Sequence, residues 1–177
     1  MVSCKLYAEA GAVFGNGHIP EDVWRQVESK FVRYCVDVLL IDPEKRTVWL
    51  PKRKALPAPI RWYFGGRVNP GEVETAAAAR IMVREAKLTV LPTRFQFVRS
   101  ARYFWSLKDG AYDGFGQIHS VQLTPAELQW AAEHLDSKEY DAAAGLIEFD
   151  AEALQGPDIH KTLRDTYSTI FGQRRES

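Results

Sequence analysis

Gly66, Glu72, Arg80 and Glu85 fall in one stretch of the chain, GGRVNPGEVETAAAARIMVREAKL, from Gly65 to Leu88. Their spacing is glycine, five residues, glutamate, seven residues, arginine, four residues, glutamate. Positions 81, 84 and 85 stand at i, i+3 and i+4, so on a helix they share one face. Three carboxylates there would form a pocket for hard divalent cations. The residues present are Ile81, Arg84 and Glu85, whose formal charges sum to 0 rather than −3. A cluster of Mg²⁺ ions generating hydroxide for attack on phosphorus is poorly served by such a trio. One Mg²⁺ shared between Glu85 and the phosphates of a substrate is compatible with it. Arg84 offers another outcome, in which its guanidinium displaces the metal from Glu85 and pairs with phosphate itself.

These residues need a scaffold. Glu72 to Lys87 reads as a helix, since four consecutive alanines favour one and Lys87 suits its C-terminal dipole. Before it, Tyr34 to Ile41 is a nearly continuous apolar run, hence a buried strand. Asp42 to Lys45 is a turn and Arg46 to Lys52 the return strand. A loop around 55–59 follows, and Arg61 to Phe64 is a short strand entering a Gly-Gly turn. Further strands are expected at Phe95 to Leu107, Gly114 to Leu123 and Leu146 to Phe149. Pro125 to His134 is helical behind a Thr124 N-cap, and an amphipathic helix closes the chain from Gly156 onward. Another helix opens at Glu21-Asp22, with Val23, Val27 and Phe31 on one face. Interleaved helices and hairpin-like strand pairs predict an α/β/α sandwich around a mixed sheet. Residues 1–18 read as an irregular segment, 19–172 as one domain and 173–177 as a tail.

The glycine-to-arginine spacing, Gly65-Gly66-Arg67-Val68 and Glu85 resemble the Nudix superfamily, and more closely its GDP-mannose mannosyl hydrolase branch. The common Nudix pattern carries glutamates at the places held here by Ile81 and Arg84. The branch also lacks two of the usual carboxylates and keeps the last. The resemblance extends to Asp37 in the first strand, Lys52-Arg53 after the second, and the His160, Arg164, Tyr167, Phe171 run of the last helix. It implies attack of water at a sugar's anomeric carbon, releasing a nucleoside diphosphate and an inverted sugar. It further implies Mg²⁺ held by Glu85, the carbonyl of Gly65 and Glu139 in place of the branch's glutamine. Arg53 and Arg67 would grip the diphosphate, with Asp37 near the nucleotide or sugar, and Arg80 would orient the helix. The branch's general base is a histidine after that glutamine, and residues 136–141 (DSKEYD) have neither. Glu139 or Asp141 is the candidate base, because glycoside hydrolysis normally uses carboxylates. Trp105 is a candidate for stacking on the substrate, although Trp49, Trp62, Trp105 and Trp130 all suit a core.

Composition bounds the alternatives. The 177 residues carry 23 Lys plus Arg against 23 Asp plus Glu, so nothing marks a nucleic-acid partner. Cys4 and Cys35, without CxxC spacing, read as free thiols of a reducing compartment or as packing residues. No stretch approaches 18 consecutive apolar residues, and the expectation is a soluble cytoplasmic protein without membrane partners. The resemblance implies a homodimer. Three functions are open at this point: Mg²⁺-dependent glycosyl hydrolysis of a GDP-mannose-like nucleotide sugar, non-catalytic binding of a nucleotide or nucleotide sugar, and ordinary pyrophosphate hydrolysis of a nucleoside diphosphate-linked compound.

Overall fold

The computed structural model describes residues 30–54, 59–107 and 110–172, with Pro20 and Val23. The expected N-terminal helix, the loop at 55–58 and the tail lie outside the described residues, apart from Val23.

The described residues form a mixed six-stranded sheet in the order β4-β5-β1-β2-β6, with β3 also paired to β1. The strands are β1 (Arg33–Asp42), β2 (Thr47–Pro51), β3 (Phe64–Arg67), β4 (Gln96–Leu107), β5 (Gly110–Gln122) and β6 (Leu146–Phe149). Helices α1 (Glu74–Ala86) and α2 (Pro125–Glu133) pack on one face, and α3 (Lys161–Phe171) on the other. The expected α/β/α sandwich is therefore present.

β1 is central because its side chains are apolar on both faces. Val36, Val38 and Leu40 join Ala77, Ala78, Ile81 and Met82 of α1 in one core. Leu39 points the other way, into a core with Tyr63, Trp62, Ile118 and Leu163. Asp37 shares that second face by the alternation of a strand. One edge of β1 runs parallel to β5 from Arg33 to Ile41. The other edge is divided: Leu40 to Asp42 pair with β2, while Cys35 to Val38 pair with β3. Where the division falls, the end of β2 is bonded to the segment that leads into β3, by Trp62 N–H to the Pro51 carbonyl at 3.1 Å and Arg53 N–H to the Ile60 carbonyl at 2.9 Å.

Three boundaries depart from expectation for physical reasons. The Gly-Gly pair continues β3 instead of turning, with Gly65 opposite Asp37 and Gly66 opposite Val36. Helix α1 starts at Glu74, not Glu72, because Glu72 accepts from the Asn69 N–H at 2.9 Å and from Arg80. The last helix begins at Lys161, where the His160 imidazole caps the Thr162 N–H at 3.2 Å. Leu146–Phe149 forms the strand expected, and Thr124 caps α2 with Glu127 in a reciprocal capping box.

Candidate functional site

Arg80 sets the helix against the strand. Its Nε and Nη2 donate to the two Glu72 carboxylate oxygens at 2.7 Å each, and Nη2 also reaches the Arg67 carbonyl at 2.8 Å. These bonds tie α1 to the end of β3 and to Glu72. One turn later the expected metal face takes a different form. Ile81 is wholly buried in the core, so it offers no polar atom. Burying such a side chain contributes about 1.5–3 kcal/mol. Glu85 is also buried, at 1% exposure, beneath β3. Its Oε2 accepts from the Gly65 N–H at 3.1 Å and from the Tyr140 hydroxyl. Its Oε1 accepts from Arg84 Nη2, and the same nitrogen donates to the Gly65 carbonyl at 3.0 Å.

The loop of residues 136–141 is fixed on this arrangement by backbone bonds. Asp136 N–H donates to the Glu85 carbonyl at 2.8 Å, satisfying an orphan acceptor at the helix end. Lys54 N–H donates to the Glu139 carbonyl at 3.0 Å and Asp141 N–H to the Lys52 carbonyl at 2.9 Å. The extension of β2 and this loop thus form one unit, in which Arg53 bridges to Tyr140. Arg53 Nη2 meets the Glu139 carboxylate at 2.9 Å. Arg53 is largely buried, while Glu139 is 36% exposed at the side chain.

Each of the three expected metal ligands therefore meets a guanidinium: Gly65 and Glu85 meet Arg84, and Glu139 meets Arg53. Among the described residues, no three His, Cys, Asp or Glu side chains gather to hold a metal ion. A divalent cation would have to enter between a carboxylate and an arginine already paired with it. The residues as arranged do not fit one. Arg84 stands beside Glu85, as the helical spacing placed it.

The charges at this centre are strongly shifted. Burial pushes the Glu85 carboxyl above its ordinary value, against the pull of Arg84, Tyr140 and the Gly65 N–H. Burial alone would lower the Arg84 guanidinium, but the charge and hydrogen bond of Glu85 outweigh it and hold Arg84 above its ordinary value. Tyr140 is driven well up, first by burial and then by the Glu85 charge.

On the opposite face Asp37 is 5% exposed. Gly65 and Gly116 leave it room: a Cβ on Gly65 would lie 2.4 Å from Asp37 Oδ1, and one on Gly116 2.9 Å from Oδ2. The Tyr103 hydroxyl acts on Asp37 and Thr162 without closing an ordinary hydrogen bond to either. Burial pushes Asp37 up to about 7, with Tyr103 and Arg53 opposing and Glu85 assisting. Asp37 is thus a buried acid of the central strand, not an open substrate contact.

The other expected residues separate. Arg67 ends β3 half-buried, its carbonyl held by Arg80. Asp141 Oδ1 accepts from the N–H groups of Ala143 and Ala144, at 3.1 and 3.3 Å, which assigns it to a turn. Trp105 packs with Trp62 and His160, ring centroids 5.5 and 5.2 Å away, so it belongs to an aromatic cluster under α3. Trp130, expected in the core, is instead 46% exposed and stacks on His134 with centroids 3.8 Å apart. Cys35 is buried in β1. Sequence reasoning missed Tyr140. Its signal was an aromatic residue inside an otherwise polar loop, the pattern of an anchor that reaches inward.

No protein-family model and no curated protein matches the chain. Solved structures do. A MutT Nudix hydrolase from Burkholderia pseudomallei superposes with a TM-score of 0.62 at 16% identity, covering 79% of this chain and 98% of that one. A MutT protein from Methanosarcina mazei gives 0.55 at 16% identity, over 78% and 92%. The E. coli dihydroneopterin triphosphate pyrophosphohydrolase gives 0.54 at 13% identity, over 80% and 99%. The fold is that of the Nudix hydrolases. Among the described residues no helix is long and apolar enough to cross a membrane.

Proposed function

We propose that the protein binds a nucleoside diphosphate-linked compound, a nucleotide sugar of the GDP-mannose type, where β3 meets α1, and holds its diphosphate with guanidinium groups rather than a metal. One observation carries this reading: Arg84 occupies both the Gly65 carbonyl and the Glu85 carboxylate. Guanidinium forks match phosphate oxygens in bidentate geometry. Arg84 is 47% exposed and can present its remaining N–H groups outward, while Arg53 supplies a second cation on the extension of β2, opposite Tyr140. Asp37 lies on the other face of the sheet, within electrostatic reach of Arg53 and Glu85. A homodimer and a cytoplasmic location go with this reading as expectations.

The test is calorimetric titration with GDP-mannose and with UDP- and ADP-sugars, in EDTA and in Mg²⁺, alongside proton and phosphorus NMR of the mixtures. Binding undiminished by EDTA, with at least a tenfold loss in Arg84→Ala, is the expected result. A requirement for Mg²⁺ would overturn it.

Glu139 favours a second reading. Its half-exposed carboxylate lies beside Arg53 at the mouth of the site, and carboxylates are the usual bases of glycosyl hydrolysis. In that case Glu139 deprotonates the water that attacks the anomeric carbon, and Arg53 and Arg84 stabilise the departing diphosphate electrostatically. Intact nucleoside diphosphate and a sugar of inverted configuration would be the products. A nucleoside monophosphate with a sugar phosphate would instead mark attack at phosphorus.

A further inference from the structure

We infer that Arg84 is a tethered cation which keeps divalent metals out, and that its removal opens a latent divalent-cation site between the Gly65 carbonyl and Glu85. This deepens the binding reading and shares its site, but concerns the protein without nucleotide.

Three observations meet on it. A single guanidinium nitrogen, Arg84 Nη2, contacts the two oxygens of opposite origin that face each other there, one on β3 and one on α1. The strand is shaped to admit that group: a Cβ on Gly66 would lie 2.7 Å from Arg84 Nη2 and 3.3 Å from Nη1. Gly66 has no left-handed backbone to explain its glycine, since the positive-φ glycines are Gly71 and Gly145. Finally, Glu85 is a buried carboxylate held from its other side by the Tyr140 hydroxyl and the Gly65 N–H, so its orientation does not depend on Arg84 alone.

Charge decides between the occupants. With Ile81 in the core, Glu85 supplies the carboxylate charge of the helix face, −1. One guanidinium neutralises it. A divalent ion entering beside Arg84 would leave a site carrying two positive units too many, in surroundings where burial weakens screening. Without Arg84, the same two oxygens and water become a hard-cation donor set, since Mg²⁺ commonly uses one or two carboxylates and keeps its waters.

The test is Mn²⁺ titration of the nucleotide-free protein, read by loss of the free-ion electron paramagnetic resonance signal. Wild type, Arg84→Ala and the double variant Arg84→Ala/Glu85→Gln are compared. Wild type is expected to take up no stoichiometric Mn²⁺, Arg84→Ala to bind one ion at least tenfold more tightly than wild type, and the double variant to lose that gain. Mn²⁺ should also raise the melting temperature of Arg84→Ala but not of wild type. One-to-one Mn²⁺ binding by wild type that disappears in Glu85→Gln would overturn the inference, as would a folded Arg84→Ala without any gain. Should Arg84→Ala fail to fold, Arg84→Gln keeps amide donors for Glu85 without the charge. Absence of the gain in folded Arg84→Gln also overturns it. Nucleotide plays no part, so failure of the nucleotide-binding reading shows separately in the calorimetry above.

Discussion

Glu85 and Asp37 approach Gly65 from opposite faces of one sheet, and both are buried, at 1% and 5% exposure. Burial raises both carboxyls. Their surroundings differ. Glu85 receives a guanidinium, a phenol and a backbone N–H. Asp37 has Tyr103 near it without an ordinary hydrogen bond, and the charge of Arg53 acting on it. A buried charge is costly unless paired and hydrogen-bonded. The first carboxyl is therefore built to stay charged beside a cation, and the second to take a proton. The contrast separates two uses of an acid that look alike in sequence.

The largest effect should come from Asp37. Its folded value of about 7 lies above its ordinary 3.8, so the native state holds the proton more tightly than the unfolded chain. Stability is then highest below pH 4, falls as pH rises toward 7 and levels off above, a loss of about 4 kcal/mol from this group. Asp37→Asn should remove that slope and be the more stable protein at pH 8. Urea denaturation of both proteins at pH 5 and pH 8 measures it, and parallel pH profiles would break the contrast. Arg84→Ala should act in the opposite direction, costing about 2–3 kcal/mol at pH 8 by leaving Glu85 buried without its cation. Because a stranded Glu85 can take a proton, the cost should shrink as pH falls, which the same denaturation series would reveal. Tyr140→Phe, which removes one donor to Glu85, should cost about 1.5–2 kcal/mol, seen as a lower denaturation midpoint with an unchanged slope. The smallest change is expected away from both acids. Arg94 meets the Glu127 carboxylate at 2.6 and 2.9 Å, and with the capping box this holds Glu127 down at about 2. Glu127→Gln should cost about 1 kcal/mol near neutrality after allowance for solvent screening. For wild type, this pair's contribution should fade as pH falls from 4.5 toward 2, which thermal melts across that range would detect.

Much of the scaffold was legible because apolar periodicity and helix caps are local signals. The alanine run of α1, the Thr124 cap and the apolar run of β1 needed no partner to be read. The Gly65-Gly66 pair was misread as a turn because glycine serves both bending and close approach. Only the register against Asp37 and the position of Arg84 distinguish the two uses here. The site was legible in part. Glu85 and Arg84 follow from helical spacing, whereas the pairing of Glu139 with Arg53 and of Tyr140 with Glu85 depends on contacts spanning more than fifty residues. Asp141 and Trp105 were credible candidates by type, and a turn and an aromatic cluster claimed them.

The two adjacent glycines of β3 carry a consequence for mutational scanning. A methyl at Gly65 would strike a buried carboxylate fixed between strands, whereas one at Gly66 would strike the tip of a long, half-exposed side chain. Alanine at the first position should therefore register as lost yield of folded protein. Alanine at the second should leave expression intact and change what the protein retains on an affinity column. Neighbouring codons would then give a natural separation between foldability and ligand choice, with each serving as the other's control.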